Sequence, residues 1–110
     1  MVIPIQRKVL TRAQVRTLGR AFERRLRDEQ IPLKEVRLFG SYAHGTAHRD
    51  SDVDLAVIVP SGVNGKKFQH VAWIAKQIHV KLEPHLISTM DLQNPWLTLS
   101  AELKKKSIRV

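Results

Sequence analysis

Two spacings of apolar residues divide this chain. From Thr11 to about Glu29 they recur at Val15, Leu18, Phe22 and Leu26, the rhythm of an amphipathic helix. Thr11 with Gln14 fits a capping box at its start, and Pro32 lies beyond its end. Residues 35–39 (EVRLF) and 55–59 (LAVIV) are short runs rich in apolar residues, bounded by Gly and Pro, as in buried strands. Lys66 and Lys67 open a second amphipathic helix with Phe68, Val71, Ala75 and Ile78 on one face. Residues 80–88 (VKLEPHLIS) alternate as a third strand, with Leu82, Pro84 and Leu86 on one side and Glu83 and His85 on the other. Pro84 has no N–H to donate, so this strand belongs at a sheet edge or carries a bulge. Residues 91–94 read as a loop. A last helix is predicted over 95–106, with Pro95 in its first turn, followed by a short closing strand over 107–110. Residues 1–10 read as an irregular or extended arm.

The order helix, strand, strand, helix, strand, helix predicts an α/β (α+β) fold, a small mixed β-sheet flanked by helices. A length of 110 residues fits one domain, 1–110. Hydrophobic residues make up 43% and charged residues 26%, the balance of a globular rather than a disordered chain. No apolar run reaches the length of a spanning helix, and the first twelve residues lack the shape of a signal peptide. The expectation is a cytoplasmic protein with no membrane association. The absence of cysteine excludes disulfides, a thiolate nucleophile and cysteine-based zinc sites. A net charge of +9 favours an anionic partner: nucleotide, nucleic acid or an acidic protein surface.

The chemistry concentrates in residues 36–59. The first strand stops at Gly40-Ser41, a small polar segment follows, and Asp52-Val53-Asp54 leads into the second strand. Side chains i and i+2 of a strand share a face, so Asp52 and Asp54 project together. Two adjacent carboxylates repel, and a divalent cation removes that penalty. Oxygen ligands few in number suit Mg²⁺, which keeps waters and takes phosphate oxygens. Gly40 permits close backbone approach, and Ser41 opens a short helical turn whose N–H groups form an anion cradle. A phosphate cradle beside an acid pair describes a nucleoside triphosphate site.

Gly40-Ser41, ten intervening residues (42–51) and Asp52-x-Asp54 together resemble the signature of the polymerase β nucleotidyltransferase superfamily. Within it the chain resembles the minimal nucleotidyltransferases, found alone or paired with HEPN-domain proteins. The resemblance covers roughly Thr11 to the end. It implies two Mg²⁺ ions held by Asp52 and Asp54, ATP as substrate, and nucleotide contacts from Gly40 and Ser41, while His44, His48 and Arg49 in the loop beyond are candidates for phosphate contacts. Many family members carry a third acid, often Asp, on the next strand. Glu83 is the acid of the third strand and would complete the metal site and act as general base. Glu in place of Asp, followed at once by Pro84, departs from that pattern.

The expected activity is transfer of AMP from ATP to a hydroxyl on a partner. A chain of this length has no room for an acceptor-binding lobe, so a partner or a second copy must bring the acceptor. The resemblance implies a HEPN-type toxin, which makes the chain an antitoxin. Two other readings stand beside it. One is a non-catalytic module that masks a toxin through its basic face. The other is a nucleotidyltransferase acting on RNA or a small molecule.

Four further features carry weaker signals. Arg12, Arg16, Arg20, Arg24 and Arg27 fall on one arc of the first helix, away from its apolar stripe. That arc suits solvent, an acidic partner or RNA. His44 and His48 are four apart, a metal-ligand spacing on a helix, but Gly45 between them favours surface histidines. Trp73 lies off the apolar face of its helix, where it could stack on a base, although packing or an interface is the expected role. Lys104, Lys105 and Lys106 offset the dipole at a helix end.

Overall fold

The computed structural model describes residues 8–63 and 65–110. Most of the arm expected over 1–10 lies outside the described residues; residues 8–10 carry no regular structure. Helix α1 (Arg12–Asp28) starts at Thr11. The Thr11 hydroxyl accepts the Gln14 N–H at 3.1 Å, and the Gln14 side chain accepts the Thr11 N–H at 2.8 Å, so the capping box is formed. The helix ends before Pro32, as the chain turns through Gln30 at a φ of 60°.

Strand β1 (Glu35–Phe39) leads into the short helix α2 (Ser41–His44). Strand β2 (Val53–Val59) follows, then helix α3 (Lys66–Ile78) and strand β3 (Leu82–Ser88). The chain closes with helices α4 (Thr89–Leu92) and α5 (Thr98–Lys105) and strand β4 (Ile108–Arg109). One mixed sheet results, in the order β3-β2-β1-β4. β1 runs antiparallel to β2 and β4, and β2 runs parallel to β3. The parallel pair needs a crossover, which α3 supplies. Pro84 sits on the edge strand, where its missing N–H costs no ladder bond.

The sheet has two unlike faces. One carries Val36, Leu38, Val53, Leu55, Val57 and Leu82, buried under Val15, Phe22 and Leu26 of α1 and Val71, Ile74 and Ala75 of α3. The other carries a smaller cluster, Phe39, Ala56, Ile58 and Ile87, under Leu103 of α5. On that second face Arg37 donates to the Ser107 hydroxyl and carbonyl at 2.7 and 3.2 Å, tying down the approach to β4.

Three local expectations fail. Phe68 does not join the buried face of α3 but is 39% exposed. It lies in the first turn, and Ile74 fills the core position instead. Residues 91–94 are not simply a loop, because the Ser88 hydroxyl accepts the Asp91 N–H at 3.0 Å and starts α4. The last helix begins at Thr98 rather than Pro95. There the Asn94 side chain accepts the Trp96 N–H at 3.0 Å and holds a turn. No helix among the described residues is long and apolar enough to cross a membrane.

Candidate active site

β1 must turn sharply at its end to let β2 return beside it. Gly40 makes that turn at a φ of +76°, a left-handed conformation that glycine adopts without strain. A second constraint is steric. A Cβ at Gly40 would lie 3.2 Å from the Asp54 Cγ and far closer still to its Oδ2. The Gly40 backbone therefore lies directly against the Asp54 carboxylate. Ala43 and His44 both donate N–H bonds to the Gly40 carbonyl at 3.0 Å, which forms the single turn of α2. Ser41 is its first residue and half-buried.

The β2–β3 register sets the rest. Asp54 pairs with Glu83, and Ala56 with His85. Asp54, Ala56 and Ile58 point to the α5 side of the sheet, as do Glu83, His85 and Ile87 of β3. Asp52 precedes β2 by one residue and faces Glu83 closely enough for a hydrogen bond between the carboxyl groups. Asp52, Asp54 and Glu83 therefore stand together. A hydrogen bond with Asp52, partial burial and the charges of Asp52 and Asp54 push the Glu83 carboxyl above its ordinary value, against a smaller opposing effect of His85.

The third-strand histidine proves to be part of this cluster. Its Nε2 lies 3.2 Å from the Asp54 Oδ1, and its ring meets Phe39 edge-on at 5.0 Å. The hydrogen bond to Asp54 raises the His85 pKa, against the effect of its burial. Period-two alternation already puts His85 on the Glu83 side of its strand. The pairing of Asp54 with Glu83 was not readable, because it depends on the register between strands separated by α3.

The second half of the loop 45–51 is braced twice. The His48 N–H donates to the buried Ser51 at 2.9 Å, and the Lys81 amine donates to the Arg49 carbonyl at 2.6 Å. The Arg49 side chain is exposed on this loop. His44 is exposed, and the His48 ring accepts the Asp50 N–H at 3.2 Å. Among the described residues no three His, Asp or Glu side chains are already arranged as a metal cage. The donor chemistry nonetheless fits a hard cation. Carboxylate oxygens crowd together at a cost expressed at Glu83, and Mg²⁺ needs few protein ligands because it retains waters.

A family model for the nucleotidyltransferase domain matches residues 20–109. The chain is also similar to the protein adenylyltransferase MntA of Shewanella oneidensis, 54% identical over 33 residues. That stretch is 30% of this chain and 24% of the relative, so only about a quarter of the relative's length is spanned. Among solved structures, a toxin–antitoxin crystallised with AMP-PNP superposes with a TM-score of 0.62 at 24% identity, over 83% of this chain and 70% of that one. The MntA-HepT toxin–antitoxin superposes with a TM-score of 0.56 at 17% identity, over 86% and 69%. At these identities the likeness to solved structures is one of fold.

Proposed function

The chain belongs to the nucleotidyltransferase domain family, and from that premise we propose that it transfers AMP from ATP to a hydroxyl on a HEPN-type toxin and so acts as an antitoxin. One observation carries the reading. Asp54 lies directly against the Gly40 turn, with Glu83 opposite it in the strand register and Asp52 within hydrogen-bonding reach of Glu83. The similarity to a protein adenylyltransferase supports AMP as the transferred group and a protein as acceptor. The fold shared with toxin–antitoxin structures supports the class of partner.

Asp52 and Asp54 would hold Mg²⁺, two ions in this reading, with Glu83 as a further ligand. The metal would neutralise charge on the triphosphate and on the departing pyrophosphate. The Gly40 turn and the Ser41 hydroxyl and N–H would hold the outer phosphates. Arg49 reaches the same phosphates from its loop. His85, bonded to Asp54, fixes the orientation of that carboxylate. The acceptor oxygen attacks the α-phosphorus in line, its proton passes to the Glu83 carboxylate, and the bond to pyrophosphate breaks. Such transfer depends on positioning and charge stabilisation more than on covalent help from the protein.

The test is intact-mass measurement of the toxin encoded beside this chain, after incubation with the chain, ATP and Mg²⁺. The expected result is a gain of one or more AMP units. No gain, with ATP or any other nucleoside triphosphate, contradicts the reading. Asp52→Ala separates enzyme from mask: neutralisation that survives this substitution means the protein works by covering its partner.

A further inference from the structure

The arginine face of α1 takes no part in the site just described. α1 packs on the sheet face opposite the carboxylates. Its exposed residues Arg12, Arg16, Arg20 and Arg24 have no hydrogen-bond or ion-pair partner among the described residues. Their spacing of four residues sets the arginine positions about 6 Å apart along the axis, over about 18 Å of helix. Four like charges in a row repel, and Asp28, one turn beyond Arg24, offsets only the end of the row.

The second half of this row borders a groove between α1 and the end of α3, whereas Arg12 and Arg16 line a separate hollow with Tyr42 and Ile108. Arg20, Arg24 and Arg25 line the groove, with Ala21 and Ile78, and Asp28 lines it too. Arg25 also stands 5.8 Å over the ring of Trp73 on α3. Trp73 lies nearly parallel to His70, 10° between planes and 5.9 Å between centres. Glu29 ties this assembly together, bonding Arg25 and, at 2.7 Å, His70. The indole nevertheless keeps 51% of its surface exposed.

We propose that the α1 arginine row and the Trp73–His70 platform form a binding surface for single-stranded nucleic acid. Regularly spaced guanidinium groups match a phosphate backbone, and a half-exposed indole offers a face to an unstacked base. A duplex would hide its bases from such a platform. An acidic protein surface is the poorer fit. Protein interfaces centre on clusters of buried apolar anchors, whereas α1 exposes no large hydrophobic residue and leaves Trp73 as the anchor of this surface. Nucleic-acid surfaces are polar and strongly positive, as this one is. Because the surface lies across the sheet from Asp52 and Asp54, binding there does not depend on nucleotidyl transfer.

Fluorescence anisotropy with labelled oligo-U RNA and oligo-dT of equal length, across salt concentrations, tests this. Wild-type protein should bind, with affinity falling steeply as salt rises. Replacing Arg16, Arg20 and Arg24 together by Ala should lower the slope of log K against log salt by about 2. The triple Lys variant should retain most of the slope. Trp73→Ala should weaken binding about tenfold with the slope unchanged. Asp52→Ala should bind like wild type, which keeps this result separate from any failure of catalysis. Replacing Lys104, Lys105 and Lys106 by Ala is the control for net charge and should change the slope less. Four outcomes overturn the proposal: no binding, equal loss in the two Ala triples, no effect of Trp73→Ala, or tighter binding to poly-glutamate than to either oligonucleotide. A difference between the RNA and DNA arms identifies the natural strand.

Discussion

The two faces of the sheet are built on opposite principles. Under α1 and α3 the sheet presents only apolar side chains, and Val36, Leu55, Val57, Phe22 and Leu26 lose essentially all contact with water. Under α5 the apolar cluster is small, and the strands go on to place Asp54, Glu83 and His85 beyond it. The closed face supplies cohesion. The open face accepts like charges side by side, an arrangement that costs stability. A fold this small tolerates that cost because the opposite face is closed. The contrast separates residues whose loss unfolds the protein from residues whose loss leaves it folded and inert.

The sharpest way to break the contrast is on the closed face. Phe22→Ala should cost about 3–5 kcal/mol, a large share of a small domain's stability, visible as a marked drop in Tm. An unchanged Tm would mean that the core is not organised around α1. On the open face, Asp54→Asn should leave the Tm at or above that of the wild type while lowering AMP transfer by about 10²–10³-fold. A matching loss of Tm would make Asp54 structural. Gly40→Ala joins the two faces. It sets a methyl against Asp54 at a positive φ, so both Tm and activity should fall, by about 1–3 kcal/mol in stability.

A smaller effect comes from pH. The folded protein raises the Glu83 carboxyl above 4.5, so folding favours its protonated form. That contribution is complete below the ordinary carboxyl range and is lost as pH rises through the raised value. In EDTA, Glu83→Gln should therefore be slightly more stable than wild type at neutral pH, and the gap should close below about pH 4. A gap that widens in acid would reverse the assignment. Smallest of all, Thr11→Ala should cost about 1 kcal/mol through loss of the cap, with no change in transfer activity.

Local rules made much of this legible. The capping box at Thr11, the strand ending at Phe39, the turn at Gly40-Ser41 and the closing strand near Ile108 all follow from residue type and spacing. Pro84 at the edge follows from its missing N–H. Spacing also put Asp52 and Asp54 on one face. What was not legible depends on contacts distant in sequence. The register that opposes Asp54 to Glu83, and brings His85 onto Asp54, is set across the α3 crossover. The burial of Ile74 in place of Phe68 depends on where α3 meets the sheet. The later start of α5 depends on an Asn94 side chain that satisfies a turn which propensity alone would have written as helix.

Isothermal titration of the protein with AMP-PNP, in Mg²⁺ and again in EDTA, addresses the acid cluster most directly. Binding that requires Mg²⁺ and disappears in the Asp52→Ala and Asp54→Ala variants is the predicted result. Equal affinity in EDTA, or in either variant, would contradict a site built from these carboxylates.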